Sequence, residues 1–398
     1  MLGTSGIRGV YGEKIKGSSV YEWVNKFAQE FDYIYIGRDL RESSLPLAKA
    51  ASAGALSAGV DVYDLGIVST GIMGFAGVGI MITASHNPLN HNGVKFIKEK
   101  RELMKTEAGF LTEPLYEAGA GHYYQEEIFS DYLDALEVFE FSFEGRVFEV
   151  NSAVQTFFTW YAKESTERFS LINNVPKMVR ESEPSKLSLE EGFAYDADGD
   201  RVVLFKDGKP ISGDLLFAMV ARYMAEQKGK KTLVATVELP KYLLNYLKQF
   251  YPHIRIVPVG STFVGYELMK YKDSFGGEPN GEYIFPEISY VPDGIASTAL
   301  LTEMESQGML ELPHIKPYPV ERSNYPTTQK HQVMEKLKSL IQEDFSDIDG
   351  ILIEKEDYKV LIRPSGTEDL IRLTIEASTP QLLKEIKEKY EKLILPLL

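Results

Sequence analysis

Three aspartates spaced two residues apart form the strongest chemical pattern in this sequence: Asp196, Asp198 and Asp200. They lie between two apolar segments, and a strand would place all three carboxylates on one face. Like charges this close are unfavourable without a cation, and three oxygen ligands on a short glycine-containing loop suit Mg²⁺. An EF-hand calcium loop would need glycine where Arg201 stands, and a solvated acidic turn would leave the repulsion uncompensated. The spacing therefore predicts a magnesium site.

A second candidate is Ser85, which follows the apolar segment 78–82 and precedes His86. A serine hydroxyl needs activation before it is a useful nucleophile. A Ser-His-Asp hydrolase is one possibility, but neighbouring residues on a turn point poorly toward each other, and no Gly-x-Ser-x-Gly elbow is present. The other is a serine that itself carries a phosphoryl group, held by Mg²⁺ on the aspartates. A surface turn whose serine only caps is the third reading.

A loop near the carboxyl end combines a cation, hydroxyls and flexible backbone: Arg363, Ser365, Gly366 and Thr367. It directly follows a predicted strand. Such a loop can wrap a phosphate dianion through a charge-assisted fork and backbone N–H groups. Ser-Gly-Thr alone is more often an ordinary turn, and Arg363 favours phosphate binding.

Glu278 and Asn280 stand in a Gly-Gly-Glu-Pro-Asn-Gly turn. Their side chains can hydrogen-bond the vicinal hydroxyls of a sugar. Asn-Gly is also a strong hairpin signal in its own right, so the turn can serve both purposes.

The elements that must position these loops alternate between strand-like and helix-like segments in four units. Residues 1–139 predict an α/β unit with the serine loop, and residues 140–212 a smaller unit with the aspartates. Residues 213–312 repeat the α/β pattern, and residues 313–398 begin with proline-rich sequence and continue as a compact α+β domain. Alternating strands and helices predict parallel or mixed sheets covered on both faces.

The composition narrows the class of partner. With 398 residues the chain is long enough for several domains. A net charge of −15 disfavours nucleic acid, and it requires a local cationic pocket for any phosphate substrate. No cysteine is present, which excludes disulfides and cysteine nucleophiles and fits a reducing cytoplasm. We expect no secretory signal and no membrane span.

Five segments in order resemble the α-D-phosphohexomutase family, which includes phosphoglucomutase, phosphomannomutase and phosphoglucosamine mutase. The resemblance runs from residue 3 to about residue 376. Each segment alone is weakly diagnostic, whereas five in register are specific. They are Gly3–Gly9, Thr83–Lys95, Asp196–Arg201, Gly277–Glu282 and Arg363–Asp369.

The resemblance implies three α/β units and a C-terminal phosphate-binding domain around a central cleft. It also implies that Ser85 is a phosphoserine and a metal ligand beside the three aspartates. Lys95 resembles the lysine near the transferring group, and with Arg8 it is our candidate for proton transfer and charge stabilisation. Arg201 resembles a further active-site arginine. His86 is expected to orient the serine turn.

The implied reaction interconverts hexose 1-phosphate and hexose 6-phosphate through a hexose 1,6-bisphosphate, as in phosphomannomutase or phosphoglucomutase. Phosphoglucosamine mutase is the alternative; a metal-dependent sugar phosphatase and a non-catalytic sugar-phosphate sensor are alternatives of other classes. Asn280 stands where the family usually has Ser, and Glu282 where it usually has His, so the acid/base group and the sugar stay open. The expected ligand is a small sugar phosphate, and the sequence does not indicate which oligomeric state the protein adopts.

Overall fold

The computed structural model describes residues 3, 5–180, 182–311, 315–366 and 369–398. These residues form four sheets with flanking helices. The predicted fold class, three α/β units followed by an α+β unit, is confirmed. Within these ranges, no helix combines the length and apolar character needed to cross a membrane.

The first sheet has seven strands and carries the serine loop. Its order is β1-β5-β4-β2-β3-β7, with β6 paired to β5. Strand β4 is buried along its whole length because all four of its residues are glycine or apolar. The elements are β1 (Ile7–Val10), α1 (Gly17–Ala28), β2 (Tyr33–Arg38), α2 (Ser44–Ser57), β3 (Asp61–Ile67), α3 (Thr70–Ala76), β4 (Gly79–Ile82), β5 (His91–Lys98), β6 (Arg101–Glu102), β7 (Tyr123–Gln125) and α4 (Phe129–Leu136).

The second sheet is small, with the strand order β12-β11-β10-β8-β9. Its antiparallel strands β10 and β11 are joined by the aspartate loop. Buried aromatic residues on β8, β10 and α5 supply the packing that holds this loop. The elements are β8 (Val147–Glu149), α5 (Gln155–Glu164), β9 (Ser170–Ile172), β10 (Gly192–Tyr195), β11 (Val202–Lys206) and β12 (Lys209–Pro210).

The third sheet presents the predicted sugar turn as the hairpin between β15 and β16, in the order β14-β13-β15-β16. The first three of these strands are parallel, and the hairpin is antiparallel. The elements are α6 (Gly213–Glu226), β13 (Thr232–Thr236), α7 (Lys241–Leu247), β14 (His253–Val257), α8 (Ser261–Leu268), β15 (Ser274–Glu278), β16 (Glu282–Ile284) and α9 (Gly294–Ser306).

The fourth sheet is antiparallel, in the order β17-β20-β19-β18, and ends in the predicted phosphate loop between β19 and β20. Strand β17 follows the proline-rich segment and was not predicted. The elements are β17 (Val320–Pro326), α10 (Lys330–Leu340), β18 (Ile351–Glu354), β19 (Tyr358–Pro364), β20 (Leu370–Ala377) and α11 (Pro380–Ile394).

The hydrophobic cores divide the chain unevenly. One continuous core contains buried residues from Leu65 to Met304 and so joins the first three units. The fourth unit has its own core, built from residues between Tyr325 and Ile394. It meets the third unit through a small apolar cluster of Val237, Leu352 and Leu361, and through hydrogen bonds that Glu376 accepts from the Lys241 and Tyr242 amides at the start of α7. Because the main core of the last unit is separate from the others, rigid-body movement of this unit is compatible with the fold.

Candidate active site

Ser85 lies on the turn directly after β4, where its backbone has a left-handed φ of 51°. This conformation is unusual for serine, and it is held in place from both sides. The Thr83 hydroxyl accepts a hydrogen bond from the Ser85 amide at 2.8 Å, and Arg41 Nη2 donates to the Ser85 carbonyl at 2.6 Å. The buried Ser85 hydroxyl donates to Asp196 Oδ2 at 2.8 Å. The structure therefore brings the predicted serine against the predicted aspartate loop.

The three aspartates are buried together, with one oxygen from each lying within 4.8 Å of the others. Burial, reinforced by the neighbouring carboxylates, raises the pKa of Asp196 well above its usual range. Burial and Asp198 likewise raise the pKa of Asp200 to about 7. Burial alone would raise the pKa of Asp198 too, but Lys95 and Arg8 lower it below its usual range, so the nearby positive charge is shared unevenly among the three aspartates.

A divalent cation fits this donor set. Asp200 Oδ1 is buried and has no hydrogen-bond donor among the described residues. Oxygen ligands in a buried acidic cluster match the preference of Mg²⁺. Asp196, Asp198 and Asp200 would hold the ion, with the oxygen on Ser85 as a fourth ligand.

Lys95 supplies the positive charge nearest to the aspartates. Its Nζ lies 2.9 Å from Asp198 Oδ2, 2.7 Å from Asp200 Oδ2 and 3.1 Å from Glu102 Oε1. Burial alone would lower the pKa of this lysine, but the three carboxylates raise it well above its usual range. Lys95 therefore keeps its proton in this arrangement, which suits charge stabilisation.

Arg8 belongs to the same network through side chains that the sequence analysis missed. Its Nη2 donates to the Ser5 hydroxyl at 3.0 Å, and Ser5 donates to Glu102 at 2.7 Å. Thr70 is a further missed residue, since its hydroxyl donates to Asp198 Oδ2 at 2.8 Å. A buried glutamate on a two-residue strand gives little signal in a sequence, and neither does a threonine that begins a helix.

His86 lies beside the serine, with Nδ1 3.2 Å from the Ser85 hydroxyl, so the expectation that these neighbours point poorly toward each other was wrong. Burial, followed by the charges of Arg201 and Arg8, lowers the pKa of His86 to about 3. The imidazole is therefore neutral near pH 7. A neutral ring at this distance suits the predicted orienting role.

The sugar turn reaches the aspartate loop through one ion pair, in which Arg201 Nε lies 2.8 Å from Glu282 Oε1. Asn280 Nδ2 donates to the same oxygen at 3.2 Å. Glu278 lies opposite Glu282 in the hairpin register and accepts a hydrogen bond from the Gly260 amide. Of the predicted sugar-binding residues, Asn280 therefore contacts the glutamate that pairs with Arg201, and Glu278 lies across the hairpin from that glutamate.

The phosphate loop is held at the contact between the third and fourth units. Arg363 Nη2 pairs with Glu238 at 2.9 Å, and Arg363 Nε lies 4.0 Å from Asp349. Lys330 Nζ, which the sequence analysis missed, donates to the Ser365 carbonyl at 2.9 Å. Gly366 is exposed at the turn, whereas Thr367 lies outside the described residues.

Comparison with known sequences and structures points to one family. Models of phosphoglucomutase/phosphomannomutase match in three segments: alpha/beta/alpha domain I at residues 1–108, alpha/beta/alpha domain III at 212–314 and the C-terminal domain at 321–393. A probable phosphoglucosamine mutase of Pyrococcus abyssi is 34% identical, with 99% of this chain and 97% of the relative covered. A phosphoglucosamine mutase of Methanocaldococcus jannaschii is 30% identical, with 99% and 98% covered.

Solved structures agree on the fold. A phosphoglucomutase/phosphomannomutase family protein from Burkholderia thailandensis superposes with a TM-score of 0.84 at 21% identity, covering 99% of this chain and 97% of the other. A phosphomannomutase described as putative, from Thermus thermophilus, gives a TM-score of 0.80 at 21% identity, with coverages of 99% and 98%.

Proposed function

The chain belongs to the phosphoglucomutase/phosphomannomutase family of phosphohexomutases, and from this we propose that it interconverts glucosamine 6-phosphate and glucosamine 1-phosphate. Full-length relatives at 30% identity or more bear the name phosphoglucosamine mutase. Their names favour the alternative of the sequence analysis over its first reading, a phosphomannomutase or phosphoglucomutase.

The observation that carries the phosphoryl-transfer part of this proposal is the 2.8 Å contact between the Ser85 hydroxyl and Asp196 inside the buried aspartate cluster. A phosphoryl group on this serine would enter a site whose carboxylates lack a full set of counter-charges. When bound, Mg²⁺ supplies charge neutralisation for the transferring group. The turn conformation of Ser85, held through Thr83 and Arg41, aims the oxygen into the cluster before substrate arrives.

In the proposed reaction, phosphorylated Ser85 transfers its phosphoryl group to the free hydroxyl of the sugar phosphate. The bond between phosphorus and the serine oxygen breaks, a bond to the sugar oxygen forms, and the hydroxyl proton ends on Ser85. The 1,6-bisphosphate reverses its orientation, and its other phosphoryl group returns to the serine. Protonated Lys95 and Arg8 stabilise the charge, while neutral His86 orients the serine oxygen.

The sugar ring and the phosphate of the substrate that is not reacting need different binding residues. Glu278 and Asn280 would contact the sugar, while Arg363, Ser365 and Gly366 would bind the phosphate that is not reacting. The separate core of the fourth unit allows this phosphate loop to release and regrip as the bisphosphate turns. We therefore favour a mutase over a phosphatase, because a loop that binds the second phosphate would keep the intermediate in the site.

A coupled assay with glucosamine, glucose and mannose phosphates tests the proposal. We expect the greatest turnover with glucosamine phosphate, activation by the bisphosphate and no net release of inorganic phosphate. Intact mass should reveal one phosphoryl group, and Ser85→Ala should remove both the group and the turnover while leaving the thermal unfolding curve in place. Wild-type turnover by Ser85→Ala would refute the phosphoserine assignment, and release of inorganic phosphate would indicate a phosphatase.

A further inference from the structure

The two carboxylate oxygens of Asp198 have different surroundings. Oδ2 accepts a hydrogen bond from the Thr70 hydroxyl at 2.8 Å and lies 2.9 Å from Lys95 Nζ. Oδ1 is buried and has no hydrogen-bond partner among the described residues. A buried carboxylate oxygen without a donor or a cation is unfavourable. Oδ1 is therefore the oxygen of Asp198 that is available to a metal ion, and Oδ2 is the oxygen that the protein holds.

Asp200 has the same division but one donor fewer at its held oxygen. Its Oδ2 lies 2.7 Å from Lys95 Nζ, while its Oδ1 is buried without a hydrogen-bond partner among the described residues. Lys95 is thus shared between two aspartates. A single donor leaves a carboxylate some freedom to turn about its Cβ–Cγ bond, and a second donor at the same oxygen restricts that rotation. At Asp198 the second donor is the Thr70 hydroxyl.

Thr70 is itself fixed in place. It is buried at the start of α3, and its amide donates to the Asp198 carbonyl at 2.9 Å, so its backbone and its side chain both bind the same residue. Lys95 Nζ donates to the Thr70 hydroxyl oxygen at 3.4 Å, which leaves the hydroxyl proton for Asp198. On the next residue, a Cβ at Gly71 would lie 2.2 Å from Asp293 Cγ, so the start of α3 packs tightly against the third unit. The hydroxyl therefore has little freedom to leave Asp198 Oδ2.

The number of oxygens that a carboxylate offers helps to select the metal. Ca²⁺ takes about six to eight oxygen ligands and accepts both oxygens of one carboxylate, whereas Mg²⁺ requires near-ideal octahedral geometry at shorter distances. With Oδ2 held, Asp198 offers one oxygen, which suits Mg²⁺. A carboxylate that is free to turn can offer both oxygens, which suits Ca²⁺.

We propose that Thr70 is a positioning residue that holds Asp198 Oδ2, so that Asp198 binds a divalent cation through Oδ1 alone and the site selects Mg²⁺ over Ca²⁺. The inference rests on the metal site of the proposed function and adds the residue that orients one of its ligands. Thr70 acts through Asp198, which lies 128 positions away in the second unit. The contact therefore fixes the metal loop against the unit that carries the serine.

Calorimetric titration of Mg²⁺ and of Ca²⁺ into the protein without substrate tests this role. Thr70→Val keeps the shape of the side chain but removes the hydroxyl. We expect its affinity for Mg²⁺ to fall about tenfold or more and its affinity for Ca²⁺ to fall less, because the carboxylate is no longer restricted to one oxygen. Thr70→Ser keeps the hydroxyl and should restore the wild-type preference. A preference for Mg²⁺ that is unchanged in Thr70→Val would overturn the proposal.

Thr302→Val is the matched control. Thr302 is also buried, and its hydroxyl donates to the Ala299 carbonyl at 2.9 Å within α9. The substitution removes a buried hydrogen bond outside the aspartate cluster, so it should lower Tm while both metal affinities stay at their wild-type values. An equal loss of Mg²⁺ preference in Thr302→Val and Thr70→Val would show a general effect of destabilisation and would contradict a specific role for Thr70.

A crystal structure of the wild-type protein with Mg²⁺ decides the question even if Thr70→Val does not fold. We expect Asp198 to bind the ion through Oδ1, with the Thr70 hydroxyl still on Oδ2. Binding through both oxygens of Asp198 would overturn the role of Thr70 and leave the proposed mutase reaction standing. If the wild-type protein binds no divalent cation in the calorimeter, the metal site of the proposed function is wrong, and the role of Thr70 falls with it.

Discussion

Replacing Lys95 with methionine separates the two sources of positive charge in the active site. The side chain keeps its approximate length, but three contacts of 3.1 Å or less to Asp198, Asp200 and Glu102 lose their cation. Breaking a buried ion pair by removing one partner costs about 3–5 kcal/mol. Because the lost charge faces a cluster that can also bind Mg²⁺, this cost should depend on the metal.

Thermal unfolding in EDTA and in excess Mg²⁺ measures that dependence. In EDTA, we expect Lys95→Met to lower Tm by about 5–10 °C relative to wild type. In Mg²⁺ the deficit should shrink, since the bound ion neutralises the same carboxylates and stabilises the folded state. Turnover in saturating Mg²⁺ should still fall by about 100-fold or more, because the charge beside the transferring group is gone.

Lys98→Met is the matched control on the same strand. Lys98 pairs with Glu30 at 2.6 Å, but both side chains are partly exposed to solvent, and exposed ion pairs contribute little. We expect a small change in Tm that is equal in EDTA and Mg²⁺, with normal turnover. An equal Tm deficit for Lys95→Met with and without Mg²⁺ would refute the argument that the lysine and the metal neutralise one cluster.

Three further changes test other parts of the structure. Arg363→Lys keeps the charge at the Glu238 contact but loses the planar guanidinium fork. The KM for sugar phosphate should therefore rise about tenfold, with a smaller change in kcat. An unchanged KM would contradict phosphate binding by Arg363. Gly281 has a φ of 94° and lies against the Val202 carbonyl. Gly281→Ala should therefore lower the free energy of unfolding by about 1–3 kcal/mol and reduce turnover. Wild-type stability together with wild-type turnover would contradict the need for glycine at this turn. Burial raises the pKa of Asp293 to about 6, so the folded protein binds this proton at a higher pH than the unfolded chain does, and stability grows as the pH falls through 6. Asp293→Asn lacks this gain. The Tm of wild type minus the Tm of the variant should therefore increase from about pH 7 to about pH 5, and a constant difference would contradict the argument.

Local patterns in the sequence identified the strand before Ser85 and the loop of the aspartates, but not β1, which carries Arg8, or β5, which carries Lys95. The apolar segment before Ser85 forms a buried strand, whereas Asp196, Asp198 and Asp200 lie on the turn between β10 and β11, and this turn, not strand alternation, gathers their carboxylates. Residues that are two to four positions apart stay close in space in any fold, so this cluster does not depend on long-range contacts. The four sheets occur along the chain in the same sequence as the four predicted α/β and α+β units. The assignment of chemical roles to these residues stays a prediction.

Other features of the site depend on contacts that no local pattern encodes. The sequence analysis placed Lys95 near the transferring group, but its partners Glu102 and Thr70 carried no signal. Glu282 was noted only as a departure from the family, and its pairing with Arg201 and Glu278 became visible in the folded hairpin. The position of Arg41 behind the serine turn was likewise not predicted.

The sequence by itself determined which chemical groups are available and on which loops they stand, because periodicity and turn chemistry act over a few residues. The tertiary structure decided which charges meet. Lys95 and Asp200 are 105 positions apart, and Arg201 and Glu282 are 81 apart. Such pairs form only when separate sheets pack together and exclude water, and it is this shared burial that shifts their pKa values.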